Sequence, residues 1–113
     1  MKWAALILLV FVAAACSDAA NTQLLPVGSR CSSDAQCGTP PYRCNATNHP
    51  FGYCDKPCAA DSECPVDSAC AIPAPGAGAC RRKCTTTPDC RVSEGYSCQP
   101  LATSTVCDTA PTP

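Results

Sequence analysis

Three stretches of similar layout decide the fold: CSSDAQCGTPPYRCNATNHPFGYC (31–54), CAADSECPVDSACAIPAPGAGAC (58–80) and CTTTPDCRVSEGYSCQPLATSTVC (84–107). Each stretch carries four cysteines, with the spacings C-x5-C-x6-C-x9-C, C-x5-C-x5-C-x9-C and C-x5-C-x7-C-x8-C. Three residues separate one set of four from the next in both places. This regularity predicts an internal repeat of 26–27 residues.

The composition indicates a fold that is held together by covalent bonds. The chain has 113 residues and 13 cysteines. Beyond the N-terminal apolar run its aromatic residues are Tyr42, Phe51, Tyr53 and Tyr96. These are too few for an ordinary hydrophobic core, and a short chain this rich in cysteine is typical of a secreted disulfide scaffold. We therefore expect a small disulfide-rich fold with three tandem four-cysteine modules and little regular secondary structure, after an N-terminal signal helix.

The predicted organisation of the chain has six parts. They are a signal peptide (1–15), a lipid-anchored linker (16–29), three cysteine-rich modules (30–55, 56–81 and 82–108) and a disordered tail (109–113). The linker is small and polar apart from Leu24-Leu25-Pro26-Val27. That patch either packs on the first module or belongs to a simple tether, and we expect the tether. The tail is expected to fray because it is rich in Thr and Pro.

The N-terminus is typical of an export signal. Two residues precede 13 apolar ones, Trp3 to Ala15, which are too few to span a membrane comfortably and suit a signal-peptide core. The segment AAACS (13–17) resembles a bacterial lipobox. This resemblance implies that Cys16 is lipidated and becomes the new N-terminus, and that Ser17 directs the protein to the outer membrane.

The number of cysteines agrees with lipidation. Thirteen is odd, and an unpaired cysteine in a secreted protein needs an explanation. Lipidation of Cys16 supplies one and leaves twelve cysteines in three sets of four. Ordinary signal cleavage, for example after Ala20, is the alternative, because it would discard Cys16 and release a freely secreted protein.

The residues between the first two cysteines recur in kind as well as in number. They are SSDAQ, AADSE and TTTPD, each beginning with two small residues and ending in an acid or amide: Gln36, Glu63 and Asp89. Ser, Thr and Asp bond locally to backbone N–H groups, which predicts a turn or a single helical turn here. Gly52 and Gly78 lie two residues before a fourth cysteine, a placement that favours a two-stranded turn closing each module.

The repeat also constrains the disulfide pairing. If each set of four is one structural unit, its cysteines pair within the set, which leaves three arrangements per set. Neighbour pairing would leave the two halves of a module unlinked, and nested pairing would hold the long loop only at its far end. Alternate pairing ties both halves together. It predicts Cys31–Cys44, Cys37–Cys54, Cys58–Cys70, Cys64–Cys80, Cys84–Cys98 and Cys90–Cys107.

A family resemblance begins in the first set. The segment CSSDAQCGTPPYRC (31–44), followed by CDKPC (54–58), resembles the opening of the N-terminal cysteine-rich domain of Dickkopf-type proteins. Similar repeats are familiar in lipoproteins of myxobacteria. The resemblance implies a disulfide scaffold, and it does not imply Wnt antagonism, because the linker carries no short receptor-binding motif.

Metal binding and catalysis are the less favoured interpretations. Zinc sites commonly use closely spaced cysteine pairs, and in an oxidising compartment evenly spaced cysteines form disulfides instead, so we predict no metal and no cofactor. His49 is the only histidine, and no nucleophile motif or paired carboxylates accompany it. We expect it to be a solvated turn residue and the protein not to be an enzyme.

Three further features have a structural and a functional interpretation. The basic run Arg81-Arg82-Lys83 is expected to be a solvated cluster, with a contact patch for an acidic partner as the alternative. Tyr42, Phe51 and Tyr53 are expected to form a small core of the first module, with an exposed binding anchor as the alternative. The sequon Asn45-Ala46-Thr47 has meaning only in a eukaryotic secretory pathway.

The sequence therefore favours an exported, lipid-anchored surface protein that acts as a binding or structural module. Its partners would be the membrane, through the lipid on Cys16, and a protein or envelope component. After removal of Lys2 with the signal, seven basic and nine acidic residues give a net charge of −2, which argues against nucleic acid. The alternative is a freely secreted, extracellular inhibitor or toxin-like effector that uses a loop between cysteines to block its target.

Overall fold

The computed structural model describes residues 22–109. The predicted signal peptide, the lipidation site Cys16 and residues 110–113 lie outside that range. Within it the expected fold class is confirmed, because six disulfides and short antiparallel strand pairs dominate the structure and helical segments are single turns.

Every module has the same layout, a helical turn followed by a two-stranded antiparallel hairpin. The turns are α1 (Asp34–Cys37) and 3-10 segments at Asp61–Glu63, Thr87–Asp89 and Val92–Glu94, the last two both in the third module. The strands are β1 (Arg43–Asn45), β2 (Tyr53–Asp55), β3 (Ser68–Ala71), β4 (Ala79–Arg82), β5 (Tyr96–Pro100) and β6 (Thr105–Thr109). In each hairpin the third cysteine of the set lies opposite the fourth.

The recurring polar residues form the helical turns, as the sequence predicts. The side chain before the second cysteine folds back onto backbone N–H groups at the start of its turn: Gln36 accepts from Ser32, Glu63 from Ala59 and Asp89 from Thr85. A second side chain then joins each turn to its hairpin. Asp34 and Asp61 accept the N–H of the third cysteine of their sets at 2.8 and 2.7 Å, and Thr87 accepts the equivalent N–H at 3.3 Å.

The disulfides join first to third and second to fourth cysteine in every set, as the alternating scheme predicts. The bonded pairs are Cys31–Cys44, Cys37–Cys54, Cys58–Cys70, Cys64–Cys80, Cys84–Cys98 and Cys90–Cys107. The two bridges of a module lie against each other, since sulfur atoms from both approach within 4.8 Å. This pair of bridges occupies the centre of each module, where a larger domain would have apolar side chains.

The segment before each module runs beside that module's last strand. Cys54 N–H donates to Ser29 O at 2.9 Å, and Cys80 N–H donates to Lys56 O at 2.8 Å. In the third module Cys84 N–H donates to Thr105 O at 3.0 Å, and Lys83 bridges to Val106. The connectors therefore take part in the fold of the modules that follow them.

Two boundary predictions are corrected. Residues 22–29 are not a free tether: Thr39 N–H donates to Thr22 O at 2.9 Å, Leu24 N–H donates to Cys37 O at 3.0 Å, and Val27 is fully buried. The predicted tail begins too early, because Thr109 ends β6. In both places backbone pairing with a neighbouring module orders residues whose composition alone indicates a linker.

The small-core prediction for the first module is only partly correct. Tyr42 is buried against Cys31, Cys37 and Cys54 of its own module. Tyr53 instead packs with Val27, Cys80 and Tyr96, a cluster to which all three modules or their connectors contribute. Phe51 is 56% exposed and belongs to neither cluster. Over residues 22–109, no helix has the length and apolar character needed to cross a membrane.

Reduction should unfold this protein. The bridges close segments with sequence separations of 12 to 17, and each is expected to stabilise the fold by about 3 kcal/mol in a chain-entropy account. The apolar clusters are too small to compensate for their loss. We expect the amide proton NMR spectrum to collapse to random-coil shifts in dithiothreitol and to recover on reoxidation. A dispersed spectrum in the fully reduced chain would contradict this.

Candidate functional site

The residue that follows the fourth cysteine of each set meets its two counterparts at the junction of the three modules. These residues are Asp55, Arg81 and Asp108, and they carry alternating charge. Arg81 Nη1 lies 2.7 Å from Asp55 Oδ2, and Arg81 Nε lies 3.3 Å from Asp108 Oδ2. A cation of the second module thus pairs with carboxylates of the first and the third. We call these three residues the junction triad.

The buried end of the triad is fully hydrogen-bonded. Asp55 has no exposed surface, and ionised groups are rarely buried without partners because desolvation is costly. Its Oδ1 accepts from Arg43 Nε at 2.6 Å, and its Oδ2 accepts from Asn45 Nδ2 at 3.0 Å as well as from Arg81. Asp55 is therefore bound by residues of β1, the strand that pairs with its own strand, and by Arg81 of the second module.

The triad shifts the pKa values of two members. Burial acts to lower the pKa of Arg81, but its hydrogen bond to Asp55 and the charge of Asp108 outweigh burial and raise that pKa. Burial likewise acts to raise the pKa of the Asp108 carboxyl. The hydrogen bond from His49 and the charge of Arg81 outweigh it, so the pKa of Asp108 lies below its ordinary value.

Aromatic rings surround the triad and join the modules by their hydroxyl groups. The Tyr53 hydroxyl donates to Cys107 O at 2.7 Å and accepts from Arg82 N–H at 2.9 Å, so one side chain of the first module binds the backbone of the third module and of β4, the last strand of the second module's hairpin. Burial raises the pKa of Tyr53 well above its ordinary value. The ring centroids of Tyr53 and Tyr96 are 5.5 Å apart, and the Arg81 guanidinium carbon lies 5.0 Å from the Tyr53 ring centre.

His49 is not the solvated turn residue that the sequence predicts. It is 9% exposed and packs against the rings of Tyr53 and Tyr96. Its Nε2 lies 3.0 Å from Asp108 Oδ1, and its Nδ1 lies 2.6 Å from Thr47 O. Both ring nitrogens face acceptor oxygens, so the ring fastens the 45–53 loop to the third module.

Arg91 makes a second set of contacts between modules, and the sequence pattern did not predict it. Its guanidinium donates to the carbonyls of Gly28 at 3.0 Å, Pro50 at 2.9 Å and Gly52 at 2.8 Å. The same group lies over the Tyr96 ring, 4.4 Å from its centre. Three carbonyl contacts that are distant in sequence leave no local pattern, so no motif could have identified this residue.

The fold separates the members of the basic run Arg81-Arg82-Lys83. The prediction of a solvated cluster is wrong for Arg81. Arg81 is buried in the junction triad, whereas Arg82 and Lys83 remain exposed. These two side chains line an open cleft of about 550 Å³ together with Thr85 and Ser104. A contact patch for an acidic partner would therefore have two basic residues instead of three.

The structure also shows the surroundings of the glycosylation sequon and of the cysteine groups that could hold a metal. Asn45 of the sequon is half-buried and donates to Asp55, so its amide serves the triad. The cysteine groups that approach metal-site geometry are Cys31/Cys37/Cys54, Cys58/Cys64/Cys80 and Cys84/Cys90/Cys107. Their sulfurs are all in disulfides, and a disulfide has no thiolate to offer a metal.

Comparison with protein-family models, with curated proteins and with solved structures finds no match to this chain. The likeness to Dickkopf-type domains therefore stays a prediction from the cysteine pattern.

Removal of the Asp108 charge should destabilise the protein in a pH-dependent way. Because the folded-state pKa of Asp108 is depressed, its ionised form stabilises the fold above the unfolded pKa of about 3.9, and that contribution is lost as the pH falls through the folded value. We expect Asp108→Asn to lower the free energy of unfolding by about 1–3 kcal/mol at pH 7 and by little at pH 2.

Chemical denaturation with disulfides intact, repeated across this pH range, measures the effect. Asp67→Asn is the matched control, because Asp67 is exposed and lies outside the triad. An Asp108→Asn effect that is equal at pH 7 and pH 2 would show that charge is not its cause.

Proposed function

We propose that this protein is an exported, lipid-anchored surface protein whose disulfide-linked modules act as one binding or structural body. The observation that carries the proposal is the pairing of twelve cysteines into six bridges within the three modules. Such bridges form and persist in oxidising compartments and are rare where thiols are kept reduced. The protein therefore functions outside the cytoplasm.

The anchor rests on the sequence before the fold. The twelve bridged cysteines leave Cys16 as the thirteenth, in a segment that resembles a lipobox. Residue 22 is already hydrogen-bonded to the first module, through Thr22 O. The six residue-to-residue steps from Cys16 to Thr22 span at most about 20 Å when fully extended. A lipid on Cys16 would thus hold the first module close to the membrane surface, and Ser17 favours the outer membrane.

The contacts at the junction favour one rigid body over three modules that move independently. A binding surface loses less entropy on association when its parts are already fixed relative to each other. The triad, the Tyr53 hydroxyl and Arg91 each connect at least two modules. Asp108 of the triad and the Thr47 carbonyl occupy the two ring nitrogens of His49, an arrangement that favours a structural role for that residue over catalysis.

One observation favours the second candidate, a freely secreted inhibitor or toxin-like effector. Residues 72–77 of the second module are exposed throughout, and they lie in the hairpin between Cys70 and Cys80. An exposed loop held at both ends by disulfides is the form that an inhibitory loop would take. Such an effector would have to leave the membrane, so the state of Cys16 distinguishes the two candidates.

Replacement of Cys16 should release the protein from the membrane. We expect the wild-type protein to fractionate with the outer membrane and to have a triacylated Cys16 as its N-terminus in mass spectrometry. The Cys16→Ser variant should lose the acyl chains and leave the membrane fraction, whereas the control Ser17→Ala keeps the anchor. A Cys16→Ser protein that stays fully membrane-bound, or a mature wild-type chain that begins after Ala20, would contradict the proposal.

A further inference from the structure

Phe51 is the only aromatic side chain of residues 22–109 that the fold leaves exposed, at 56%. Its backbone has a φ of +62°, in the left-handed region that a bulky residue enters only at a conformational cost. Asn48, earlier in the same loop, has a φ of +56°. Backbone strain of this kind persists where the surroundings fix it, and it is found preferentially at functional sites.

The surroundings fix the loop at three consecutive carbonyls. Pro50 O accepts from the Tyr96 hydroxyl at 2.8 Å and from Arg91, Phe51 O accepts from Cys31 N–H at 3.2 Å, and Gly52 O accepts from Arg91. Gly52 has a φ of +74°, and a Cβ at this position would collide with the Cys31 carbonyl. The backbone is thus immobilised while the Phe51 ring is held outward.

A cation lies against the ring. The Arg30 guanidinium carbon is 4.6 Å from the Phe51 ring centre, and the Arg30 side chain is 66% exposed. Its nearest carboxylate oxygen, on Glu94, is 4.0 Å away, which leaves the guanidinium able to form closer bonds. Arg30 and Phe51, with Ser32 and Gln36, line an open cleft of about 480 Å³.

One polar atom of this cleft, the Gln36 side-chain oxygen, is already engaged. Gln36 Oε1 accepts from the N–H groups of Ser32 and Ser33, and also from the Ser32 hydroxyl at 3.2 Å. Beside the apolar Phe51 ring the cleft offers the Arg30 guanidinium, a group that binds carboxylates in bidentate fashion.

We propose that this cleft is a docking site for a protein segment that presents a carboxylate next to an apolar side chain. The carboxylate would bind Arg30 and the apolar group would pack on Phe51. Arginine and aromatic residues are enriched among the residues that dominate interface energetics, and a rigid loop lowers the entropic cost of binding. This inference rests on the proposed function, since it names the surface with which a binding module would act.

An NMR titration of the full oxidised protein tests the chemistry with three probes. They are N-acetyl-leucine, which joins a carboxylate to an apolar side chain, its uncharged amide, and N-acetylglucosamine. We expect N-acetyl-leucine to give saturable shifts at the amides of Arg30, Ser32 and Phe51, with a Kd of the order of millimolar for a ligand of this size. The amide should bind about tenfold more weakly, because it lacks the charge-assisted contact.

Two variants assign the binding to these residues. Phe51→Gly removes the ring at a backbone conformation that glycine adopts freely, so the melting temperature should not fall while binding weakens about tenfold. Arg30→Gln should abolish the preference for the acid over the amide. The matched controls are Val66→Ala, an exposed apolar residue elsewhere, and Arg82→Gln, an exposed basic one, and both should bind as the wild type does.

Three results would overturn the inference: no saturable shift, binding that Phe51→Gly leaves unchanged, or stronger binding of the saccharide at the same amides. A fall in melting temperature for Phe51→Gly with unchanged binding would assign the ring a structural role. The titration does not depend on lipidation. Its failure is therefore distinguishable from a failure of the membrane anchor, which the fractionation of Cys16→Ser reports.

Discussion

The arrangement of the three modules depends on one buried cation, Arg81, held between carboxylates of the modules on either side. Asp55 has no exposed surface, and the Arg81 side chain is only 9% exposed. Separation of the first and second modules would take Arg81 away from Asp55, which would keep only Arg43 and Asn45 of its own module, and breaking a buried ion pair is strongly destabilising. The disulfides explain why each module is folded. The junction triad explains why the modules do not turn freely about their three-residue connectors.

The same junction determines what the surface can present. The loop that carries Phe51 belongs to the first module, but Arg91 and Tyr96 of the third module hold its carbonyls. A module isolated from its neighbours would lose these bonds and with them the fixed orientation of the ring. The residues that line the candidate docking site all belong to the first module, but binding at that site is thus expected to need the third module as well.

The sequence predicts what repeats locally and misses what is joined across modules. Cysteine spacing and the acid or amide before the second cysteine (Gln36, Glu63 and Asp89) recur with each module, so the bridges and the turns could be predicted from them. The triad could also have been predicted, because each of its members follows the fourth cysteine of a set. Their charges alternate, however, so the three positions do not look alike in the sequence. His49 and Arg91 have no counterpart in the other modules. Phe51 differs from Tyr53 and Tyr96 chiefly in lacking a hydroxyl, and only the fold shows that those two hydroxyls donate to backbone carbonyls of another module.

The most direct test of this account is a double-mutant cycle between Arg81 and Asp55, measured by chemical denaturation with the disulfides intact. Arg81→Met should lower the free energy of unfolding by about 3 kcal/mol, because it leaves the buried Asp55 with the partly exposed Arg43 as its one cation. In that background Asp55→Asn should cost little or restore stability, giving a coupling energy of at least about 1.5 kcal/mol. Effects of the two substitutions that add within about 0.5 kcal/mol would contradict the claim that this ion pair joins the modules.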